Sequence, residues 1–314
     1  MRLSEMLCHF ARFFPGFVAD FLESGLSLKR KFREETITDI MMANLKALGG
    51  NSVIVEFPNE PSTGADMEWF FVDTSDSTWF RLLIQAKRIT CRGPNWQNHS
   101  YRDLFHISGG ALQAETLANT ASADTATFPL YAFYHPRTTC ELANEVDVDW
   151  VEGVNLADGY FVASLAKAAI SKKLKTQNKR LGTLHQVFFA LAELFCPPHI
   201  VELGPMALGP SNIERFLTFT FQSGRPTLGM QMPPSPGDIR RRIQGQRENM
   251  GDEARDLPPV PPLGEGIPDD VAELLKRRFG GVKRLESGVP RPRKLRRVIF
   301  VSAGWRRLRL DAQQ

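Results

Sequence analysis

The segment that most restricts the fold is Phe80-Arg-Leu-Leu-Ile-Gln-Ala86, apolar almost throughout as it runs into Gln85. Successive residues of a strand point to opposite faces of its sheet, so a strand of this composition must be covered on both sides. That is the layered α/β arrangement. Ser52 to Phe57 and Met67 to Val72 read as two further strands, with turns at Pro58-Asn-Glu-Pro61 and Asp73-Thr-Ser-Asp76. Before them lies a helix that Gly49-Gly50 ends, with Ile37, Ile40, Met41, Leu45 and Leu48 on one buried stripe. The order is helix, strand, strand, strand.

The two inner strands carry chemistry at their near ends. Gly64-Ala-Asp66-Met-Glu68-Trp opens one, and Gln85-Ala-Lys87-Arg closes the next. Alternation puts Asp66 and Glu68 on one strand face and Gln85 and Lys87 together on the neighbouring strand. Two acids, an amide oxygen and an amine then meet. Hard oxygen donors of this kind suit Mg²⁺, and a lysine beside them can hold or deprotonate a water. The spacing points to metal-assisted phosphodiester hydrolysis.

Elsewhere the pattern predicts an N-terminal helix broken at Pro15-Gly16, a helix from Leu104 to Ala121, and a strand from Pro129 to Tyr134 closed by His135-Pro136. Cys140 to Val154 reads as loop, Gly159 to Ser171 and Thr183 to Phe195 as mostly helical, and Phe216 to Phe221 as strand. Three regions follow: a main domain over 1–221, a Pro/Gly-rich disordered linker over 222–268, and a basic helix-strand tail over 269–314. In the tail, Asp269 to Arg278 reads as helix and Val298-Ile-Phe-Val301 as a strand. A lone strand is unstable in water, so this one docks on the main sheet or pairs with another chain.

The overall charge of +4 hides an asymmetry, because Lys276 to Arg309 holds 13 Lys and Arg against Glu286 alone. That block is +12, which leaves 4 − 12 = −8 for the remainder. Such a block attracts phosphate without regard to sequence, and Arg88, Arg291, Arg293, Lys294, Arg296 and Arg297 are the expected nucleic-acid contacts. The cysteines at 8, 91, 140 and 196 form no Cys-x-x-Cys pair. They suggest neither a disulfide framework nor a zinc module, and a reducing cytoplasmic compartment is expected. The Phe-rich N-terminus is too polar and too broken by Arg12, Pro15 and Asp20 for a signal peptide or membrane span.

A helix acid, a strand opening Gly-x-Asp and a following strand ending Gln-x-Lys resemble the PD-(D/E)XK nuclease superfamily. The match is to the variant in which glutamine replaces the acid of the last motif, as in Mrr-type restriction endonucleases. The fuller string, Glu34-Glu35-Thr36-x-Thr38-Asp39, Gly64-Ala65-Asp66-x-Glu68-Trp69 and Gln85-Ala86-Lys87-Arg88, is similar to a bacterial family of unassigned function related to those nucleases. The resemblance covers residues 25 to 135, fades toward 215, and leaves the C-terminal third outside. It implies a restriction-endonuclease-like core, a central mixed sheet of about four strands flanked by helices. It also implies that Asp66 binds the metal, that Gln85 ligates through its side-chain carbonyl, that the Ala86 backbone carbonyl completes the shell, and that Lys87 positions the water. Mg²⁺ or Mn²⁺ is the implied cofactor, lowering the pKa of bound water and neutralising charge on the phosphate.

The helix acid stays open between two residues. Glu34 lies nearer the apolar stripe if the helix starts early; with Thr36 as N-cap of a capping box, Glu35 serves equally. Because an amide brings no charge, Gln85 leaves a deficit that Glu68 or Glu60 would fill. Gln113 reads as a helix-surface amide or a phosphate contact, and His99, His106 and Cys91 are too scattered for a local metal site. The expected activity is a Mg²⁺-dependent nuclease, a DNA endonuclease of bacterial defence or genome maintenance. Its partner is nucleic acid, DNA in preference to RNA, with no membrane and with homo-oligomers compatible. The alternative is a non-catalytic nucleic-acid-binding or assembly module that keeps the nuclease fold.

Overall fold

The computed structural model describes residues 3–30, 32–49, 52–56, 65–171, 178–196, 233–279 and 296–302. Helix α1 spans Leu3–Ser27 and α2 spans Glu34–Gly49. Pro15 does not break α1. Proline in a helix costs about 3 kcal/mol, but Leu7, Phe10, Phe14, Val18 and Leu22 are buried on one side of α1. Phe10, Phe14, Phe17 and Phe21 also stack in series along it. Burying a single such side chain gives about 1.5–3 kcal/mol, so the stripe outweighs the lost hydrogen bond.

An open mixed sheet forms the centre. Its strands are β1 (Val53–Glu56), β2 (Met67–Asp73), β3 (Thr78–Arg88), β6 (Thr127–Tyr134), β7 (Val154–Asp158), β8 (Phe189–Ala190), β9 (Gly264–Glu265) and β10 (Arg296–Val301). The order is β1-β10-β2-β3-β6-β7-β8, with β9 pairing on β3, eight strands among the described residues. The sheet is therefore wider than the four-strand core expected, seven strands across. β10 enters it between β1 and β2, antiparallel to the first and parallel to the second. The lone C-terminal strand thus finds its partners within the chain. On one face Trp69, Phe71 and Phe300 pack with Phe195 of α7 (Leu191–Phe195). On the other, Phe70, Val72, Ile299 and Val301 pack with Val271, Leu274 and Leu275.

Several elements differ from the sequence reading, each for a local reason. Residues 104 to 112 are not helical: Ile107–Ser108 (β4) and Ala111–Leu112 (β5) pair as a hairpin. Gly109 and Gly110 turn it at φ 59 and 84, a conformation that glycine adopts without penalty. Helix α3 begins only at Gln113 and runs to Ser122. The segment read as loop holds α4 (Arg137–Asn144) and the start of β7. Beyond α5 (Gly159–Ser171), the stretch from 183 to 195 is short pieces, α6 (Leu181–Leu184), a 3₁₀ turn, β8 and α7. Residues 216–221 lie outside the described residues.

The expected disordered linker is largely ordered where it is described. Residues Pro236–Asn249 form α8. Ser235 Oγ accepts from the Asp238 N–H at 3.1 Å while Asp238 accepts from the Ser235 N–H at 3.0 Å, and Pro236 at the first helical position has no N–H to waste. Ile239, Ile243 and Arg247 are buried one turn apart. Arg247 pairs with Asp158 and lies over the Phe128 and Tyr160 rings at 5.1 and 5.7 Å. The prolines after it belong to no helix or strand, and β9 then crosses Trp79 so closely that a Cβ on Gly264 would sit 2.2 Å from the indole. Composition had obscured a capped helix. The last helix, α9, is Asp269–Phe279.

Cys8 and Cys196 are disulfide-bonded, with Cα atoms 4.5 Å apart and 188 residues between them in sequence. No local spacing could announce that pair, because the packing of α1 against α7 creates it. Disulfides are rare in reducing compartments, so the cysteines no longer argue for one. No helix among the described residues is long and apolar enough to cross a membrane.

Candidate metal centre at the end of the third strand

Asp66 sits in the bend before β2, its N–H donating to the Ile84 carbonyl at 2.9 Å. That bond continues the β2–β3 ladder by one residue, so Asp66 faces Gln85. Its Oδ2 accepts from the Ala86 N–H at 2.8 Å and from Gln85 Nε2 at 2.5 Å. Gln85 Nε2 also donates to the Ala86 carbonyl at 3.1 Å. A carboxylate, a backbone carbonyl and a side-chain amide therefore converge at one corner. Gln85 Oε1, buried, has no partner.

Burial pushes the Asp66 carboxyl up to about 6, with Glu35 adding to the rise and the Ala86 N–H, Lys87 and Arg296 opposing it. Lys87 is 6 % exposed, and its Nζ donates to Gln113 Oε1 at 2.7 Å. Burial lowers its pKa, while Asp66, Glu34, Asp103 and Glu35 act to hold the charge. Gln113 thus holds the lysine rather than lying on a helix surface. It can do so because the hairpin before it delivers the first turn of α3 to the end of β3.

Helix α2 begins at Glu34, so Thr36 is not its N-cap and both acids lie in the first turn. Glu34 is half-buried and accepts from the Arg88 N–H at 3.2 Å, which pins it to the end of β3. Glu35 is exposed, and its charge reaches Asp66. The structure brings Asp66, Gln85, Lys87, Glu34 and Glu35 together.

It does not bring Glu68. That carboxylate is 4 % exposed and accepts from Arg297 Nε at 2.5 Å, with Arg81 at 3.5 Å. Two guanidiniums neutralise it, so it cannot supply the charge missing at Gln85. Glu60, Arg291, Arg293 and Lys294 lie outside the described residues. Arg297 also binds Asp270 at 2.6 Å and sits 4.9 Å from the Phe70 ring centroid. Arg296 binds Asp39 of α2 at 2.7 Å. Both arginines, expected to meet phosphate, are held by the fold. Arg88 caps the site through its backbone N–H.

Sequence reasoning passed over Tyr131. It is fully buried, it is the register partner of Gln85 across the parallel β3–β6 pair, and its hydroxyl has no partner. Nothing short of the strand register could have pointed to it. Away from this corner, His99 bonds Thr139 and the Gly93 carbonyl, and Cys91 bonds Thr139, an ordinary satisfied cluster. Among the described residues no three His, Cys, Asp or Glu side chains form a metal-binding group.

A divalent cation fits the corner by one criterion above the others. The Gln85 amide meets a carboxylate and a carbonyl through Nε2 while its buried oxygen is left unpaired, and buried polar atoms without partners are rare in folded proteins. No curated protein and no solved structure matches the chain. A family defined by sequence covers residues 7–304, nearly the whole length, and the chain belongs to it: the family of unknown function DUF6615.

Proposed function

We propose that the protein is a metal-dependent nuclease, hydrolysing phosphodiester bonds of nucleic acid, DNA in preference to RNA. The observation that carries this reading is the meeting of Asp66, the Ala86 carbonyl and the Gln85 side-chain amide, whose oxygen is unpaired, beside a buried lysine. These are hard oxygen donors of low total charge, a set that suits Mg²⁺ or Mn²⁺ shared with substrate phosphate. When bound there, the cation would lower the pKa of water and neutralise the phosphate.

The remaining work falls to the chain itself. Asp66 supplies the one full negative charge in contact with Gln85, and its raised pKa favours a counter-cation above about pH 6. Lys87, desolvated and held by Gln113, presents an amine whose proton is easier to give up than that of a surface lysine. Glu34 or Glu35, from the first turn of α2, would orient water from the opposite side. The resemblance to Gln-x-Lys nucleases supports the same roles.

The test is incubation of purified protein with supercoiled plasmid, linear duplex, single strand and RNA, with Mg²⁺ or Mn²⁺ against EDTA. Divalent-dependent cleavage that Asp66→Ala and Lys87→Ala each abolish, with native circular dichroism, is the expected result. Binding of duplex without cleavage under any metal would favour the non-catalytic module instead.

A further inference from the structure

Among the described residues, three buried side-chain polar atoms lack a hydrogen-bond partner: Trp69 Nε1, Gln85 Oε1 and Tyr131 Oη. Two of the three are register neighbours on adjacent parallel strands, so their side chains share a sheet face. Trp69 stands on the other face, with Phe195 and Phe300. Unpaired buried groups each cost about 1–3 kcal/mol. Two of them side by side at the candidate site indicate a state in which they are satisfied together.

The amide of Gln85 supplies that state. In the present orientation Nε2 faces Asp66 Oδ2 and the Ala86 carbonyl. A cation touching those two oxygens would be repelled by N–H and needs the amide oxygen. The terminal torsion of glutamine is broad and nearly two-fold, so half a turn exchanges the two ends at little torsional cost. Oε1 then faces the corner, and Nε2 moves to where Oε1 now has no partner. A donor placed there needs an acceptor. Trp69 Nε1 is a donor only, which leaves the Tyr131 hydroxyl.

Building on the nuclease reading, we propose that Tyr131 is a positioning residue. Its hydroxyl, which makes no direct hydrogen bond to the Gln85 amide in the present arrangement, receives Nε2 through one bridging water and so holds the amide with Oε1 turned toward a divalent cation. The influence of Asp66 on the Tyr131 phenol, second to burial in pushing it up, fits this proximity. In the metal-free protein the hydroxyl has no hydrogen-bond partner, and with metal it holds the ligand.

This separates Tyr131 from a residue that merely fills the core. Tyr131→Phe should weaken Mn²⁺ binding by roughly five- to tenfold, the loss of one hydrogen bond, yet leave the metal-free melting temperature unchanged or raised. Tyr160→Phe, which removes a hydroxyl bonded to Ser122, is the control and should bind Mn²⁺ within twofold of the parent. The measurements are calorimetric Mn²⁺ titration and EDTA-treated thermal unfolding of the full chain, with Asp66→Ala alongside. If the parent takes up Mn²⁺ through Asp66 and Tyr131→Phe binds equally well, the assignment of Tyr131 fails while the metal site stands. If the parent shows no Asp66-dependent uptake, the nuclease reading fails and takes this inference with it.

Discussion

Replacing Asp66 by Asn should make the metal-free protein more stable while destroying divalent binding. Burial lifts this carboxyl from 3.8 to about 6, a rise of about two units at 1.36 kcal/mol each, so ionising it within the fold costs about 3 kcal/mol. The sign follows from the direction. With the folded pKa above the unfolded one, the protonated group favours folding below about pH 4, and that contribution is lost as pH rises through about 6. Asn is the neutral isostere. Its oxygen can accept from both the Ala86 N–H and Gln85 Nε2, as Oδ2 of Asp66 does. The gain at pH 7.5 is therefore about 1–3 kcal/mol, and little or none at pH 4. For a chain of 314 residues, with unfolding entropy near 2.1 cal/mol/K per residue, that is a rise of roughly 2–4 °C. Scanning calorimetry in EDTA from pH 4 to 8 would read it, with Mn²⁺ titration on the same samples. A variant less stable than the parent at pH 7.5, or a difference that does not grow with pH, would refute the reasoning that Asp66 is held ionised against its environment. Stability given up at Asp66 would be the trade expected of a metal ligand.

Two further outcomes follow from the same contacts. Gln85→Glu places a second carboxylate against Asp66, so it should tighten Mn²⁺ by tenfold or more and lower the metal-free melting temperature through like-charge repulsion; unchanged or weaker affinity by calorimetry would mean that residue 85 does not reach the metal. Arg297→Gln removes the guanidinium shared by Glu68 and Asp270 and should cost about 1–3 kcal/mol in urea unfolding, since buried Glu68 keeps only the longer Arg81 contact and half-exposed Asp270 returns to water. Duplex binding by the folded fraction should barely change, and a large loss of affinity with full stability would return Arg297 to the nucleic-acid interface.

The site was legible where it depends on neighbours in sequence. Asp66 and Gln85 meet because a short antiparallel connection fixes the register of β2 on β3, and strand alternation does the rest. Lys87 follows by the same period. Glu68 obeyed that alternation too, yet its carboxylate goes to Arg81 and to an arginine 229 residues away, a partner no local pattern contains. The hairpin at Gly109-Gly110 was hidden by apolar residues at helical spacing, and α8 by prolines counted for composition rather than position. Gly-Gly demanded a turn, and Ser-Pro-x-Asp demanded a helix start. Both signals were present, but average composition masked them. The Cys8–Cys196 pair and the place of Tyr131 had no signal at all, because both arise from packing order.

The last strand ties the corner to the helix acids. β10 pairs with β2 so that Arg296 stands opposite Met67, beside Asp66. From there Arg296 reaches Asp39 on α2 and Arg297 reaches Glu68 on β2. One strand end therefore ties the helix that carries Glu34 and Glu35 to the strand that Asp66 precedes. The basic block read from sequence as a phosphate-binding appendage is, at these two positions, a clamp on the site. The Arg297–Glu68 pair is buried on both sides, whereas Asp39 is 49 % exposed, so the Arg296 pair contributes about 0.2–1 kcal/mol. Parallel pairing across more than 220 residues adds a loop-closure cost that the β2–β3 hairpin does not carry, so the hairpin suffices for Asp66 to meet Gln85, and the ties to α2 and Glu68 need the C-terminal strand. The candidate chemistry and the end of the described chain are thus parts of one folding unit.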